Sequence, residues 1–265
     1  PLILVVLGLS LLLGKSRWAM LGPVIFLAIL MGFAFSPKAP YQKGNENRQW
    51  PRVSQYSRPW DETVSSGRFM GELGNGDLIV YGMDDMLFSG SLSHQPPVEF
   101  AWAYTRSNSA AAIKLTEHKS NRLISGPGKS EGSLQLNSRI PWDLEVILGV
   151  GNFNGDFRNV LLHRLKVKVG VGNISITIPD NNIRGDITVS GGVNQVLLRV
   201  PPQVGLRIFL DSGMGTRSIN LEGLEKKDGA WVSSNYGDAK SAYDIKITTG
   251  INKLDVEYIP SLPLI

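Results

Sequence analysis

The chain has 265 residues, 42% of them apolar and 19% charged, with 29 glycines, 15 prolines and no cysteine. That composition excludes a disordered chain and removes disulfides, thiolate metal sites and cysteine nucleophiles together. Lys and Arg exceed Asp and Glu by 27 to 23, a net charge of +4. So mild an excess, with no arginine-rich helix and no interleaving of aromatic and basic residues, fits a membrane-proximal protein and gives no sign of nucleic acid.

The chain opens on proline rather than methionine, as expected of a fragment or a processed protein. Pro1–Leu13 has Ser10 as its one polar side chain, and Trp18–Phe35 carries no charge. Between them lies the basic turn Gly14-Lys15-Ser16-Arg17. At about 1.5 Å per residue the second run spans about 27 Å, close to the roughly 30 Å hydrocarbon core. The first run is shorter, as if cut at its upstream end. Two apolar runs around a basic hinge predict a transmembrane helical hairpin over residues 1–36, with the lipid bilayer as a partner and Trp18 as an interfacial anchor. Lys15 and Arg17 mark the hinge, while Lys38, Lys43, Arg48, Arg52 and Arg58 follow the second run. By the positive-inside rule this favours a multi-pass protein of the cell membrane with a cytoplasmic C-terminal domain.

Residues 37–64, rich in Pro, Asn, Gln and Arg, predict a basic, polar linker that could also lie on anionic headgroups. From residue 65 the pattern has period two. "DLIVYG" (Asp77–Gly82) and "VEFAWAY" (Val98–Tyr104) predict strands in a first part of a β domain, over 65–145.

Residues 146–265 repeat themselves. Gly149, Gly170 and Gly191 are 21 residues apart, as are Asn152, Asn173 and Asn194. A fourth copy, "DSGMGTRSINL", holds Gly213 and Gly215, and a fifth, "TTGINKLDVEYI", holds Gly250. An earlier degenerate copy reads "GELGNGDLIVYG". Units of this length, each strand-turn-strand, cannot bury their own apolar faces but can do so when stacked. The prediction is an all-β, right-handed β-solenoid. Leu165, Val167, Val169, Ile174, Ile176 and Ile178 face in, and Lys166, Lys168, Ser175 and Thr177 face water. Gly149, Gly151, Asn152, Gly170, Gly172, Asn173, Gly191, Gly192, Asn194, Gly213, Gly215 and Gly250 then turn the corners.

No motif carries chemistry. Gly170-Val171-Gly172 is followed by a strand, where a dinucleotide fingerprint needs a helix. "GPGKSEGS" has Leu123 where a P-loop needs its first glycine. Calcium-binding turns need an aspartate where these copies hold Asn or Thr. His94, His118 and His163 have no metal spacing and read as surface or turn residues. No catalytic residue, cofactor or metal is assigned. Trp142, just before the first strong repeat, is placed to cap the core. An insertion over 224–239 interrupts the repeat, and its Trp231 and Tyr236 are the candidate partner contacts.

The stretch "NSRIPWDLEVILGVGNFNGDFRNVLLHRLKVKVGVGNISITIP" resembles the hallmark of bacterial toast-rack domains, and "VGLRIFLDSGMGTRSINLEGL" with "YDIKITTGINKLDVEY" is similar to the ending of LiaF-type proteins. "PLILVVLGLSLLLG" resembles the last part of their membrane module, which usually has more than the two apolar runs present here. The resemblance is closest over 136–258. It implies a non-catalytic, membrane-anchored accessory or scaffold protein of cell-envelope stress signalling, with a sensor kinase and response regulator as partners. The alternative is an envelope module binding glycan or lipid on the extracytoplasmic face.

Overall fold

Strict alternation of branched apolar and polar residues leaves little room for helix, and the computed structural model has none among the residues it describes, which are 52–95, 98–119, 129–211, 218–250 and 253–260. Fifteen strands follow in chain order. The first six are β1 (Arg52–Pro59), β2 (Ser66–Met83), β3 (Met86–His94), β4 (Val98–Ser107), β5 (Ala110–Lys119) and β6 (Ser130–Asn137). Three long ones come next: β7 (Pro141–Asp156), β8 (Leu161–Thr177) and β9 (Arg184–Val200). The last six are β10 (Gly205–Leu210), β11 (Ser218–Asn220), β12 (Leu224–Lys227), β13 (Ala230–Ser233), β14 (Ala242–Thr249) and β15 (Lys253–Tyr258).

The predicted hairpin over 1–36, with Trp18, lies outside the described residues. Among the described residues no helix is long and apolar enough to cross a membrane. The linker predicted over 37–64 is not wholly a linker, because β1 falls inside it and pairs antiparallel with β3. The boundary drawn at 145/146 falls in the middle of β7, which pairs with β2 on both sides of it.

β2, β7, β8 and β9 lie parallel and side by side. In β7 the buried side chains are even-numbered up to Leu148 and odd-numbered from Phe153, so the inward phase switches at Gly149–Asn152. The turn after β7 then brings Leu161 back beside Pro141. The chain therefore doubles back within each coil, and its two arms face each other across the core. Leu144, Val146 and Leu148 with Phe153, Leu165, Val167 and Val169 with Ile174 and Ile176, and Ile187 and Val189 with Val196 and Leu198 all belong to one core, each at most 2% exposed. Each such side chain contributes about 1.5–3 kcal/mol on burial.

The order of coils departs from the order of repeats. The sheet runs β1-β3-β6-β2-β7-β8-β9-β14-β10-β13-β12, with β5 and β4 on the first arm of β2, and β15 and β11 on the second arm of β9. The fifth copy, β14–β15, thus lies between the third (β9) and the fourth (β10–β11). The step also changes. From β7 to β8 Leu144 faces Leu165, but from β8 to β9 Leu165 faces Ile187, so the second step is 22 residues and not 21.

Aromatic side chains close the β1 end of the stack. Tyr56 packs on Phe88 at 5.6 Å and on Trp102 at 6.2 Å, and Phe88 on Tyr104 at 6.3 Å. Trp142 is fully buried over Gly67, where a Cβ would strike the indole ring, and its N–H donates to Asn137 O at 2.8 Å.

Candidate interaction surfaces

The corners are built from two columns of backbone. A Cβ on Gly149 would overlap the Gly74 carbonyl oxygen, one on Gly170 would overlap that of Gly149, and one on Gly192 or Gly250 would come within 2.7 Å of the next carbonyl down the column. The second column is tighter. Gly151 and Gly172 have φ of +145° and +155°, and a Cβ on either would overlap the carbonyl oxygen of Gly76 or Gly151. Glycine is required here twice over, for its φ and for the close approach of the coils. Among the described residues, the space beside each of these glycines is filled by the next coil, which leaves no cradle for a ligand there.

The 22-residue step moves two residues out of the predicted columns. Gly192, not Gly191, stacks on Gly170, while Gly191 faces Val169. Asn194 faces Gly172, and Gln195 takes the place opposite Asn173. Gly213 and Gly215 lie outside the described residues.

A row of amides runs along the outside of the corner. Asn173 Nδ2 donates to Asn152 Oδ1 at 2.9 Å, and Asn152 Nδ2 donates to Asp77 Oδ1 at 2.8 Å. The backbone N–H groups of Asn152 and Asn173 donate to the same two oxygens. Burial pushes the Asp77 carboxyl up, but hydrogen bonds from Lys129 and Asn152 outweigh it and hold the group below the usual range. The sequence did carry this signal: aligning Gly76 of "GELGNGDLIVYG" with Gly151 puts Asp77 at the asparagine position.

The outer face of the first arms carries a ladder of charge that sequence spacing did not point out. Arg68, Asp143, Arg164, Asp186, Asp244 and Arg207 stand opposite one another on successive strands. Asp143 is 3.9 Å from Arg68, 3.6 Å from Arg164 and 2.8 Å from His163. One row on, Lys166 reaches Glu145 at 2.6 Å. Its opposite-charge pairs are worth about 0.2–1 kcal/mol each, whereas Asp186 opposite Asp244 sets two like charges side by side, and the row fixes the pattern a partner would meet.

The 224–239 insertion adds a hairpin to this face. β12 pairs with β13, and β13 pairs antiparallel with β10. Trp231, the first candidate contact, is partly buried against the core. Tyr236, the second, is held within the chain: its hydroxyl donates to Asp244 at 2.6 Å and its ring lies 4.9 Å from the Arg207 guanidinium. Arg207 binds Asp244 through two nitrogens, at 2.8 and 2.6 Å. Burial pushes the Asp244 carboxyl up, and the bonds from Arg207 and Tyr236 more than reverse it. Burial and then the bond to Asp244 push the Tyr236 hydroxyl up.

Of the histidines, His163 is exposed on Asp143, and His118 is exposed on β5. His94 departs from the surface or turn position expected of it. It is 6% exposed at the end of β3, edge-on to Phe100 at 5.3 Å. Among the described residues no three His, Asp or Glu side chains gather as metal ligands.

The solved structure of a "putative cell adhesion protein" from Clostridium sporogenes is similar to this chain at TM-score 0.69 and 21% identity, covering 79% of this chain and all of that one. At that identity the likeness shows the fold. A "putative adhesin" from Bacteroides fragilis is 12% identical over 80% of this chain and 98% of that one, and its TM-score of 0.32 carries no argument. No curated protein matches. The sequence profile of the N-terminal domain of toast_rack, DUF2154, matches residues 63–199, over half of the chain, and the chain belongs to that family.

Proposed function

We propose that this protein is a non-catalytic scaffold, anchored to the cell membrane through residues 1–36, whose β domain docks signalling proteins of the cell-envelope stress response. The observation that carries the docking reading is the charge ladder from Arg68 to Arg207 on the outer face of the first arms. A stack whose core is filled by interlocked coils holds such a surface rigid, so little ordering entropy is lost when a partner binds. The sensor kinase, the response regulator and the cytoplasmic placement of the domain come from the resemblance and from the basic residues after the second apolar run. The right-handed winding of the coils, the hand taken by nearly all parallel crossovers, belongs to the same reading.

The test is affinity capture of the tagged full chain from native membranes, beside a variant with Arg68, Arg164 and Arg207 each changed to Glu. Recovery of a kinase or regulator with the first and its loss with the second is expected. Equal recovery with both would remove the ladder from the reading.

A second reading, glycan binding at the extracytoplasmic face, has one observation of its own. On the second arm of β2, Ile79 and Tyr81 are 46% and 36% exposed beside Asn154 and Asp156, a flat apolar strip edged with hydrogen-bonding groups. The adhesion role suggested for the Clostridium sporogenes protein points the same way. Protease treatment of intact cells separates the two readings, since only an external domain is cut.

A further inference from the structure

β14 is a strand inserted into the sheet after its neighbours along the chain. It pairs in parallel with β9 from Ala242 to Thr249 and with β10 from Gly205 to Leu210. Until β14 arrives, the facing edges of β9 and β10 have no ladder partner in that slot. Its inward side chains Tyr243, Ile245 and Ile247 are all 0% exposed, so an empty slot would also open the core.

The connection into the slot has slack. Residues 234–241 join β13 to β14. At one end Ser233 Oγ accepts from the Leu206 N–H at 2.8 Å, and at the other Ala242 faces Gly205. Both ends thus flank the start of β10, about two strand spacings or ~10 Å apart. Residues 234–241 could reach about 26 Å when extended. They are instead folded into turns, with Tyr236 N–H bonded to Ser233 O and Ala239 N–H to Asn235 O. What holds them so is polar and lies at the surface: Arg184 donates to the carbonyls of Gly237 and Ala239, each at 3.0 Å, and Tyr236 bonds to Asp244.

We propose that β14 and the strand after it exchange between two copies of this chain, each filling the partner copy's slot between β9 and β10. A closed monomer and a reciprocal dimer then share the same core contacts and differ only in the path of residues 234–241, which is the condition for low-cost swapping. The slot demands an inward Tyr-x-Ile-x-Ile pattern and an outward carboxylate for Arg207, and a second copy supplies both in register.

The protein has no cysteine, so introduced ones report cleanly. Thr188, half-buried on the β9 wall of the slot, stands directly opposite Lys246, which is exposed on β14. Two full-length chains with different tags, one Thr188→Cys and one Lys246→Cys, are co-expressed and oxidised in membranes. Neighbouring strands bring such a pair within disulfide reach, at about 5 Å between Cα atoms. A covalent species carrying both tags is expected, and it should be absent when Glu145→Cys, outside the slot, replaces Thr188→Cys. Deleting residues 234–239 should raise its share several-fold, because the closed path is then too short to be relaxed. If the double variant in one chain forms its internal disulfide while the two tags never join, with either linker, the exchange does not occur.

Discussion

Asn173 and Asn152, one coil apart, are joined through their side chains, Nδ2 to Oδ1 at 2.9 Å, and Asn152 passes the same bond on to Asp77 at 2.8 Å. The order of residue types matters. An amide can donate to one neighbour and accept from the other, whereas a carboxylate only accepts and so belongs at the end of the row. Asn152→Asp places a second carboxylate against Asp77 and removes the donor between them. We expect a loss of about 2 kcal/mol at pH 7, which shrinks relative to the native protein near pH 4 as one carboxyl takes a proton. Asn152→Ala should cost about 1–2 kcal/mol at both pH values. Thermal unfolding at the two pH values separates the variants, and an Asn152→Asp loss as large at pH 4 as at pH 7 would refute the charge account.

The glycine columns should be the least tolerant positions in the domain. Gly151→Ala or Gly172→Ala drives a methyl group into a backbone oxygen of the adjacent coil, at a φ that side chains avoid. No rotamer relieves this, so each should cost about 3 kcal/mol or more, a large share of a total of about 5–15 kcal/mol. Gly229 also has positive φ but open space around it, and Gly229→Ala should cost nearer 1 kcal/mol. Gly237 has neither constraint, and Gly237→Ala should stay within about 0.5 kcal/mol of the native value. A melting-temperature series over these four variants tests the ranking.

The stack itself was legible in the sequence because inward residues recur with period two and glycines recur about once per coil. Its order was not. Each copy presents the same inward pattern, so β14 satisfies β9 as well as β10 would, and parallel pairing does not require consecutive copies to be neighbours. The 22-residue step was hidden by Gly191-Gly192, which offers either glycine to the column. β1 escaped notice because its half-buried residues, Ser54 and Tyr56, look polar, and the apolar surface beneath them comes from Phe88 and Trp102 on other strands. The charge ladder needs the register of six strands to be known before Asp143 and Arg164 can be seen as neighbours.

Tyr243 ties the inserted strand to a coil it does not pair with. Its buried hydroxyl donates to Leu162 O at 2.9 Å, across β9, and burial pushes the hydroxyl far above its ordinary pKa. Tyr243→Phe keeps the ring and leaves that carbonyl without its partner, at a cost of about 1–3 kcal/mol. Tyr236→Phe, at the half-exposed turn, should cost less than about 1 kcal/mol. Denaturant unfolding of the two variants gives the comparison, and equal losses would show that burial is not what sets the Tyr243 effect.

Acid should loosen the domain through a small set of carboxylates. The Asp156 carboxyl is held below its usual range by its bonds to Arg158, and Asp244 and Asp77 are held below theirs by donors that outweigh burial. In each case the folded chain binds the proton less readily than the unfolded chain, whose carboxyls titrate near about 3.9. Their stabilisation is therefore complete well above pH 4, declines as the pH falls through that value, and is gone once the pH is below the folded pKa. Asp244→Asn should lower stability at pH 7 and flatten the fall between about pH 5 and 2, since one of the linked protons has been removed. Because Asp244 and Arg207 are both partly exposed, about 0.5 M salt should reduce the difference between variant and native protein at pH 7. Unfolding curves across this pH range check the sign directly: a native stability that rises on acidification below pH 4 would contradict it.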